Sequence, residues 1–351
     1  MMKVGIVVFS NIITAPYLYS YVEVFRGSDI CFDVVYFDRK NNPDIVDFNT
    51  IYFSLALQNN QNKFVKFFFF WKFFAFLKKT ILKNKYDFLI ILTSVPACFL
   101  SSFLINNYNR KYIIDIRDYS YERIPVYKFL LTRALRHSCC NVISSPGFKS
   151  FLPVGDYVLC HNMNFKNNGL TINLNKTGTV RIGYIGMISY LDQCLMMIDH
   201  VKNDFRFEFH FYGFGVNNEN INKYINNNVI KNVFMHGAYE PSQKSEIYKN
   251  IDIIFNVYGN DSPLVKYTLS NKYYDAAYYK KPLLVSDNTT MGEYSKGISF
   301  VMNFKNKYVL DDLYDWYTGL DPDTFNSIAN KIINDAIADN MIFKEAITQA
   351  L

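Results

Sequence analysis

Short, predominantly apolar runs recur along this chain, separated by segments of helical period, and the whole series occurs twice. The first series has runs at Val4–Phe9, Phe32–Phe37, Phe88–Leu92, Tyr112–Ile116, Asn141–Ser144 and Tyr157–Cys160. Helical segments lie between them near Thr14–Phe25, Gln61–Lys85, Ala97–Asn107 and Arg123–His137. Continuous rather than alternating apolar character suits parallel strands buried on both faces. Strand–helix alternation then implies a doubly wound α/β sheet. Met163–Thr179 is polar, Asn-rich and without period, and reads as a linker. The series restarts after it, with runs at Val180–Ile185, Arg206–Tyr212, Asn232–Met235, Asp252–Val257, Pro282–Ser286 and Ile298–Met302.

A chain of 351 residues, 50% of them hydrophobic, can fill two cores. The expected organisation is an N-terminal Rossmann-like domain over residues 1–163, a C-terminal one over 164–320, and a helix in 321–351 packing back toward the first. Two such domains would face each other across a cleft at the carboxyl ends of their strands, where ligands of this fold class bind.

Several function classes lose support at once. Neither half carries G-x-G-x-x-G after its first strand: Val4–Phe9 runs into Ser10-Asn11-Ile12, and Val180–Ile185 into Gly186-Met187-Ile188-Ser189. No P-loop is present either, which argues against a dinucleotide oxidoreductase or an NTPase. The 6 cysteines include no C-x-x-C pair, and the 5 histidines form no H-E-x-x-H pattern, so no metal cofactor is expected. Without a signal peptide, the cysteines read as buried thiols of a reducing cytoplasm. The net charge of +6 comes without a recognisable nucleic-acid module, and suits phosphate-bearing substrates or an anionic membrane surface better than nucleic acid.

The order of features from Val180 to Met302 resembles the donor domain of GT-B glycosyltransferases, especially glycosyltransferase family 4 and its capsule-type relatives. VRIGYIG (180–186) is similar to the first strand and glycine turn of that domain, and FHFYGFG (209–215) to its strand ending in Gly-x-Gly. Residues 232–257 are similar to the run of strand, glycine loop, short helix and strand. SNKYYDAAYYKKPLLVSD (270–287) resembles the helix and strand that hold the sugar nucleotide, and MGEYSKG (291–297) a short Glu-containing turn. In the first half, IIDIRD (113–118) and VLCHNM (158–163) resemble acceptor-domain segments. The family's Glu-x7-Glu is altered: its second position is Asp275 and its first is Tyr267. Asn271-Lys272 instead resembles the Pro-x-Lys segment of capsule and exopolysaccharide transferases.

The resemblance implies a GT-B fold and metal-independent transfer of a sugar from a nucleotide diphosphate sugar to a glycan or lipid-linked acceptor, in bacterial surface polysaccharide synthesis. Such a reaction releases a diphosphate, whose charge must be neutralised by cationic side chains, backbone N–H groups and helix N-termini. Lys272 and Asp275 lie three apart on one predicted helix, so Lys272 could meet the diphosphate while Asp275 accepts ribose hydroxyls. An ordinary ion pair would look the same. Gly186, Gly213, Gly237 and Tyr239 are expected to line the nucleotide, Asn271 to sit beside it, and Glu293 to hold sugar hydroxyls. Asn11 and Arg117 are assigned to the acceptor. Asp118, at the end of a strand run, is the first candidate for general base and Asp115 the second, although an Asp in that place is often a turn or cap residue. Asp321-Pro322-Asp323 has the form of a metal-binding Asp-x-Asp, but reads better as a helix start.

Phe64–Phe76 holds nine aromatics, with lysines in and around it. It is too short to span a bilayer. Together with Arg123, Lys128, Arg133 and Arg136 it predicts peripheral contact with the cytoplasmic face of the inner membrane; burial in the core is the competing explanation. Two functional rivals remain: a catalytically inactive GT-B accessory subunit, favoured by the missing first Glu, and a sugar-nucleotide epimerase of related fold.

Overall fold

A computed structural model describes residues 1–56, 63–163, 170–174 and 178–351, the side chains of 63–67 excepted. The chain forms two compact units, Met1–Asn162 with Ala338–Leu351, and Met163–Ile337.

The first unit is built on a 7-stranded sheet. Its strands are β1 (Met2–Val8), β2 (Ile30–Asp38), β3 (Thr50–Ser54), β4 (Phe88–Leu92), β5 (Tyr112–Ile116), β6 (Cys140–Ile143) and β7 (Val158–Leu159). They lie in the order β3-β2-β1-β4-β5-β6-β7, every pair parallel. All residues of β4 and β5 are buried, as a sheet covered on both faces requires. Phe343 and Ile347 of the long helix Pro322–Ala350 enter the core formed by β1, β2 and the helix Leu18–Phe25.

The second unit repeats the plan with 6 strands. These are β8 (Val180–Ile185), β9 (Phe207–Tyr212), β10 (Val233–Gly237), β11 (Ile253–Asn256), β12 (Leu283–Ser286) and β13 (Ser299–Met302), in the order β10-β9-β8-β11-β12-β13. In both sheets the strand order reverses beside the first strand, between β1 and β4 and between β8 and β11. Crossover helices diverge there, leaving an opening at the strand ends.

Three local expectations need correction. The edge strand β3 was not anticipated, because TIYFS is short and only half-buried. The helix expected over Ala97–Asn107 is two, Ser94–Phe99 and Ser101–Tyr108, separated at Leu100. The aromatic segment lies in the helix Lys63–Asn84, whose buried stripe is Phe73, Phe74, Leu77 and Ile81. Phe74 stacks on Phe99 at 4.6 Å and on Phe9 at 5.5 Å, so it belongs to the core and cannot face lipid. Phe68 and Trp71 are 50% and 60% exposed, while the Phe67 side chain falls outside the described residues.

The segment therefore divides. Phe74→Ser is expected to destabilise the protein by about 3 kcal/mol or more. Phe68→Ser with Trp71→Ser should leave the melting temperature within a few degrees of wild type. Thermal unfolding of the two variants checks this division, and equal losses would refute it.

Candidate functional site

The opening of the second unit is built from the ends of β8 and β11. Beyond β8 the chain turns through Gly186, at φ +110°. Gly213, at the end of β9, has φ +139°, and a Cβ there would fall 1.9 Å from the Gly186 carbonyl oxygen. Glycine at 213 is thus demanded by close backbone approach. The same packing corrects one expectation. The Gly186 N–H donates to the Tyr212 carbonyl and the Gly213 N–H to the Gly237 carbonyl, so neither is left for a phosphate.

The cation of this opening is Lys272, in the first turn of the helix Asn271–Tyr279. Ser270, just before that helix, donates to Asn256 Oδ1 at 2.8 Å and ties the helix start to the end of β11. The Lys272 amine donates to the Tyr258 hydroxyl and lies 5.1 Å from the Tyr184 ring centre and 5.2 Å from that of Tyr258. A Cβ on Gly186 would be 3.9 Å from it. Lys272 and Gly186, 86 positions apart in sequence, therefore meet at the point where strand order reverses. The residue is partly accessible, but the surrounding rings desolvate its amine and push its pKa down to about 8. Among the described residues no carboxylate pairs with it.

Asp275 is not available as expected. It is buried, and its two oxygens accept from Lys244 Nζ at 2.7 Å and the Tyr248 hydroxyl at 2.8 Å. Lys272, on the same helix face, has no carboxylate partner among the described residues, so the competing explanation of a Lys272–Asp275 ion pair does not hold, and Asp275 pairs with Lys244 instead. Tyr239 is half-buried, and burial followed by the nearby Asp275 raises its pKa. Asn271 and Glu293 are exposed at the starts of their helices, and Gly237 takes φ +80° with open space around it. Asp321 accepts from the Thr324 N–H at 2.8 Å, the geometry of a helix start. Among the described residues no group of three or more His, Cys, Asp or Glu could hold a metal ion.

The opening of the first unit is a cavity of about 510 Å³ at the ends of β1 and β4. Phe9, Ser10 and Tyr17 line it from beyond β1, Thr93 from beyond β4, Asp118 and Tyr119 from beyond β5, and Arg39 from beyond β2. Asp118 is accessible, yet the enclosing walls desolvate it and push its carboxyl up to about 6, against the lowering by Arg117. Thr93 has φ +78° and ψ 159°, a backbone conformation normally left to glycine, and its hydroxyl is buried without a partner among the described residues. Strain of this kind costs about 1–3 kcal/mol and clusters at functional sites.

Arg117 and Asn11, expected at the acceptor, are committed elsewhere. The Arg117 guanidinium is buried behind Tyr17, donating to Asp115 Oδ2 at 2.6 Å and to the Cys160 carbonyl at 2.9 Å. Asp115 also accepts from the Tyr21 hydroxyl at 2.7 Å, which makes it part of a buried network. Asn11 is buried too, donating to Asp38 Oδ1 at 3.0 Å and accepting from the Arg39 N–H at 3.0 Å. It shapes the loop rather than the cavity wall. Arg39 and Thr93 were missed from sequence. The only signal for Arg39 was a cation directly after the apolar run of β2, at a strand's carboxyl end.

Sequence comparison finds no matching protein-family model and no matching curated protein. Solved structures of the same fold do match over essentially the whole chain. The lipopolysaccharide outer core galactosyltransferase WaaB, in its apo form, is similar with a TM-score of 0.72 and 12% identity, covering 100% of both chains. Sucrose-phosphate synthase from Thermosynechococcus elongatus gives 0.70 and 11%, covering 99% of each. HepE from Anabaena in complex with UDP gives 0.67 and 12%, covering 99% of this chain and 100% of that one. At such identities the likeness is one of fold, and the fold is that of GT-B glycosyltransferases.

Proposed function

We propose that the chain is a metal-independent glycosyltransferase that moves a sugar from a nucleotide diphosphate sugar to a glycan or lipid-linked acceptor in bacterial surface polysaccharide synthesis. The observation that carries this reading is the Lys272 amine, which no carboxylate pairs with among the described residues and which lies desolvated beside Gly186 at the strand-order reversal of the second sheet. A diphosphate seated there would supply the missing counter-charge, and its charge grows as the glycosidic bond breaks. Neighbours in fold support the class: WaaB is a galactosyltransferase, and HepE is found in complex with UDP and glucose. Asp118 acts as general base on the acceptor hydroxyl, and Glu293 and Asn271 contribute to the donor site.

The accessory-subunit reading keeps one observation in its favour. Tyr267 replaces the family's first Glu, and Asp275 is held by Lys244 and Tyr248. Titration with UDP and other nucleoside diphosphates, followed by an assay of donor hydrolysis, separates the two. Binding with no hydrolysis and no transfer across a donor panel would favour the accessory subunit and sink the enzyme.

Metal independence gives its own expectation. Asp321 accepts from the Thr324 N–H at 2.8 Å, which supports reading the Asp-x-Asp sequence as a helix start. Activity should persist in excess EDTA; loss restored by magnesium or manganese would return Asp321 and Asp323 to the site.

Peripheral membrane contact belongs to the same proposal, with a narrower footprint than Phe64–Phe76. Phe68 and Trp71 are exposed, as are Ile124, Val126 and Phe129 near Lys128 and Arg133. No helix among the described residues is long and apolar enough to cross a membrane. Exposed aromatics with lysines and arginines fit reversible binding to anionic lipid, at about 1 kcal/mol per basic residue near the surface.

A further inference from the structure

We propose that the cavity of the first unit binds an anionic group of its ligand, a carboxylate or a phosphate, and that Arg39 is the residue that holds it. This rests on the reading of that cavity as the acceptor site.

Arg39 is a cation without a counter-charge among the described residues. The Arg39 backbone is fixed at the end of β2 by its N–H bond to Asn11. Its guanidinium lies 4.5 Å from the ring centre of Phe9 and 5.4 Å from that of Phe37, with Nη2 donating to the Phe9 carbonyl. Among the described residues no carboxylate pairs with it, and Nε is buried with no acceptor. Asp38, next in sequence, already accepts from Asn11, from the Ser54 hydroxyl at 2.6 Å and from the Lys40 N–H at 3.1 Å. Burial lowers the Arg39 pKa to about 10, so the group stays charged near neutrality.

Aromatic rings compensate only part of the cost of desolvating a cation. A buried charge without a counter-ion remains unfavourable. That deficit is met if the ligand brings the negative charge. A guanidinium is matched to carboxylate and phosphate oxygens; Nη2 is taken by the Phe9 carbonyl, while Nη1 has no hydrogen-bond partner among the described residues and is the donor left for an anion in the cavity. The same cavity presents Asp118, which repels an anion but accepts a hydroxyl proton. A ligand carrying both an anionic group and a hydroxyl is therefore oriented by the two residues, anion toward Arg39 and hydroxyl toward Asp118. An acidic or phosphorylated sugar has that chemistry.

The test is titration calorimetry on the full-length Lys272→Ala protein, which lacks the Lys272 amine of the second unit, with glucuronate, glucose 6-phosphate and glucose. At least one anionic sugar is expected to bind about tenfold or more tighter than glucose, and Arg39→Gln should erase the difference. The tighter of the two anions identifies the group as carboxylate or phosphate. Equal binding of charged and neutral sugars, or anion binding untouched by Arg39→Gln, overturns the proposal. If Arg39→Gln fails to fold, Arg39→Lys serves instead: it keeps a positive charge but loses the planar set of guanidinium donors, and should weaken both anions severalfold while leaving glucose unchanged. An equal effect on all three would sink the idea. Failure of the transferase reading is distinguishable. Anion binding that depends on Arg39, with no sugar transfer to any acceptor, keeps the anion site and removes the acceptor assignment. Transfer that is indifferent to acceptor charge removes the anion site and keeps the transferase.

Discussion

Lys272→Ala is expected to lower turnover about a hundredfold while leaving the protein folded, an electrostatic loss of roughly 3 kcal/mol at the transition state. The amine sits against Gly186, Tyr184 and Tyr258 with no carboxylate partner among the described residues, so its charge is not neutralised there. Charge that increases on the departing diphosphate is what such a group stabilises best, and the loss should fall on turnover more than on donor binding. Single-turnover kinetics with a saturating nucleotide sugar would measure it. Near-normal turnover in the mutant would remove Lys272 from the donor site.

The same residue makes a stability prediction whose sign is unusual. Burial holds the Lys272 pKa at about 8, below its value in the unfolded chain. Between those two values the unfolded state binds more protons, so stability rises with pH there. At neutral pH the charged amine is a cost, and Lys272→Ala should melt no lower than wild type. Diphosphate affinity should weaken as pH climbs past about 8, where the free amine loses its proton.

The fold was legible because burial on both faces leaves an unambiguous mark. Phe88–Leu92, Tyr112–Ile116 and Val180–Ile185 are strands over the very spans their apolar runs predicted. A half-buried edge strand such as Thr50–Ser54 leaves a weaker mark and was passed over. Individual site residues were harder, since spacing along a helix says which side chains share a face but not which partners come from elsewhere in the chain. Lys272 and Asp275 share a face as expected, yet Lys244 and Tyr248, from the preceding crossover, reach Asp275 first. Arg117 and Asp118 are adjacent in sequence and point to different environments, because neighbouring residues at a strand's end leave it on opposite sides. Arg39 carried no motif at all. Its meaning depends on Phe9 and Phe37, brought together only by the pairing of β1 with β2.

Asp118→Asn is the second large effect expected, a loss of about 10²- to 10⁴-fold in turnover if the carboxylate takes the acceptor proton. Its position recommends it: it lines the cavity, remains accessible, and is desolvated enough to titrate near 6. A base must be unprotonated to act, so wild-type turnover should fall about tenfold per pH unit below about 6. The Asn variant should show a low rate without that limb. Asp115, the other carboxylate of the same segment, provides the contrast. It is buried against Arg117 and Tyr21, and Asp115→Asn would leave the Arg117 charge without its counter-ion. Breaking a buried pair of that kind costs about 3–5 kcal/mol, so the Asp115 variant should lose stability first. Measuring both variants for melting temperature and for rate against pH separates chemistry from scaffolding. Should Asp118→Asn keep the wild-type rate and acid limb, the proton must go to another group, and the cavity of the first unit loses its assigned base.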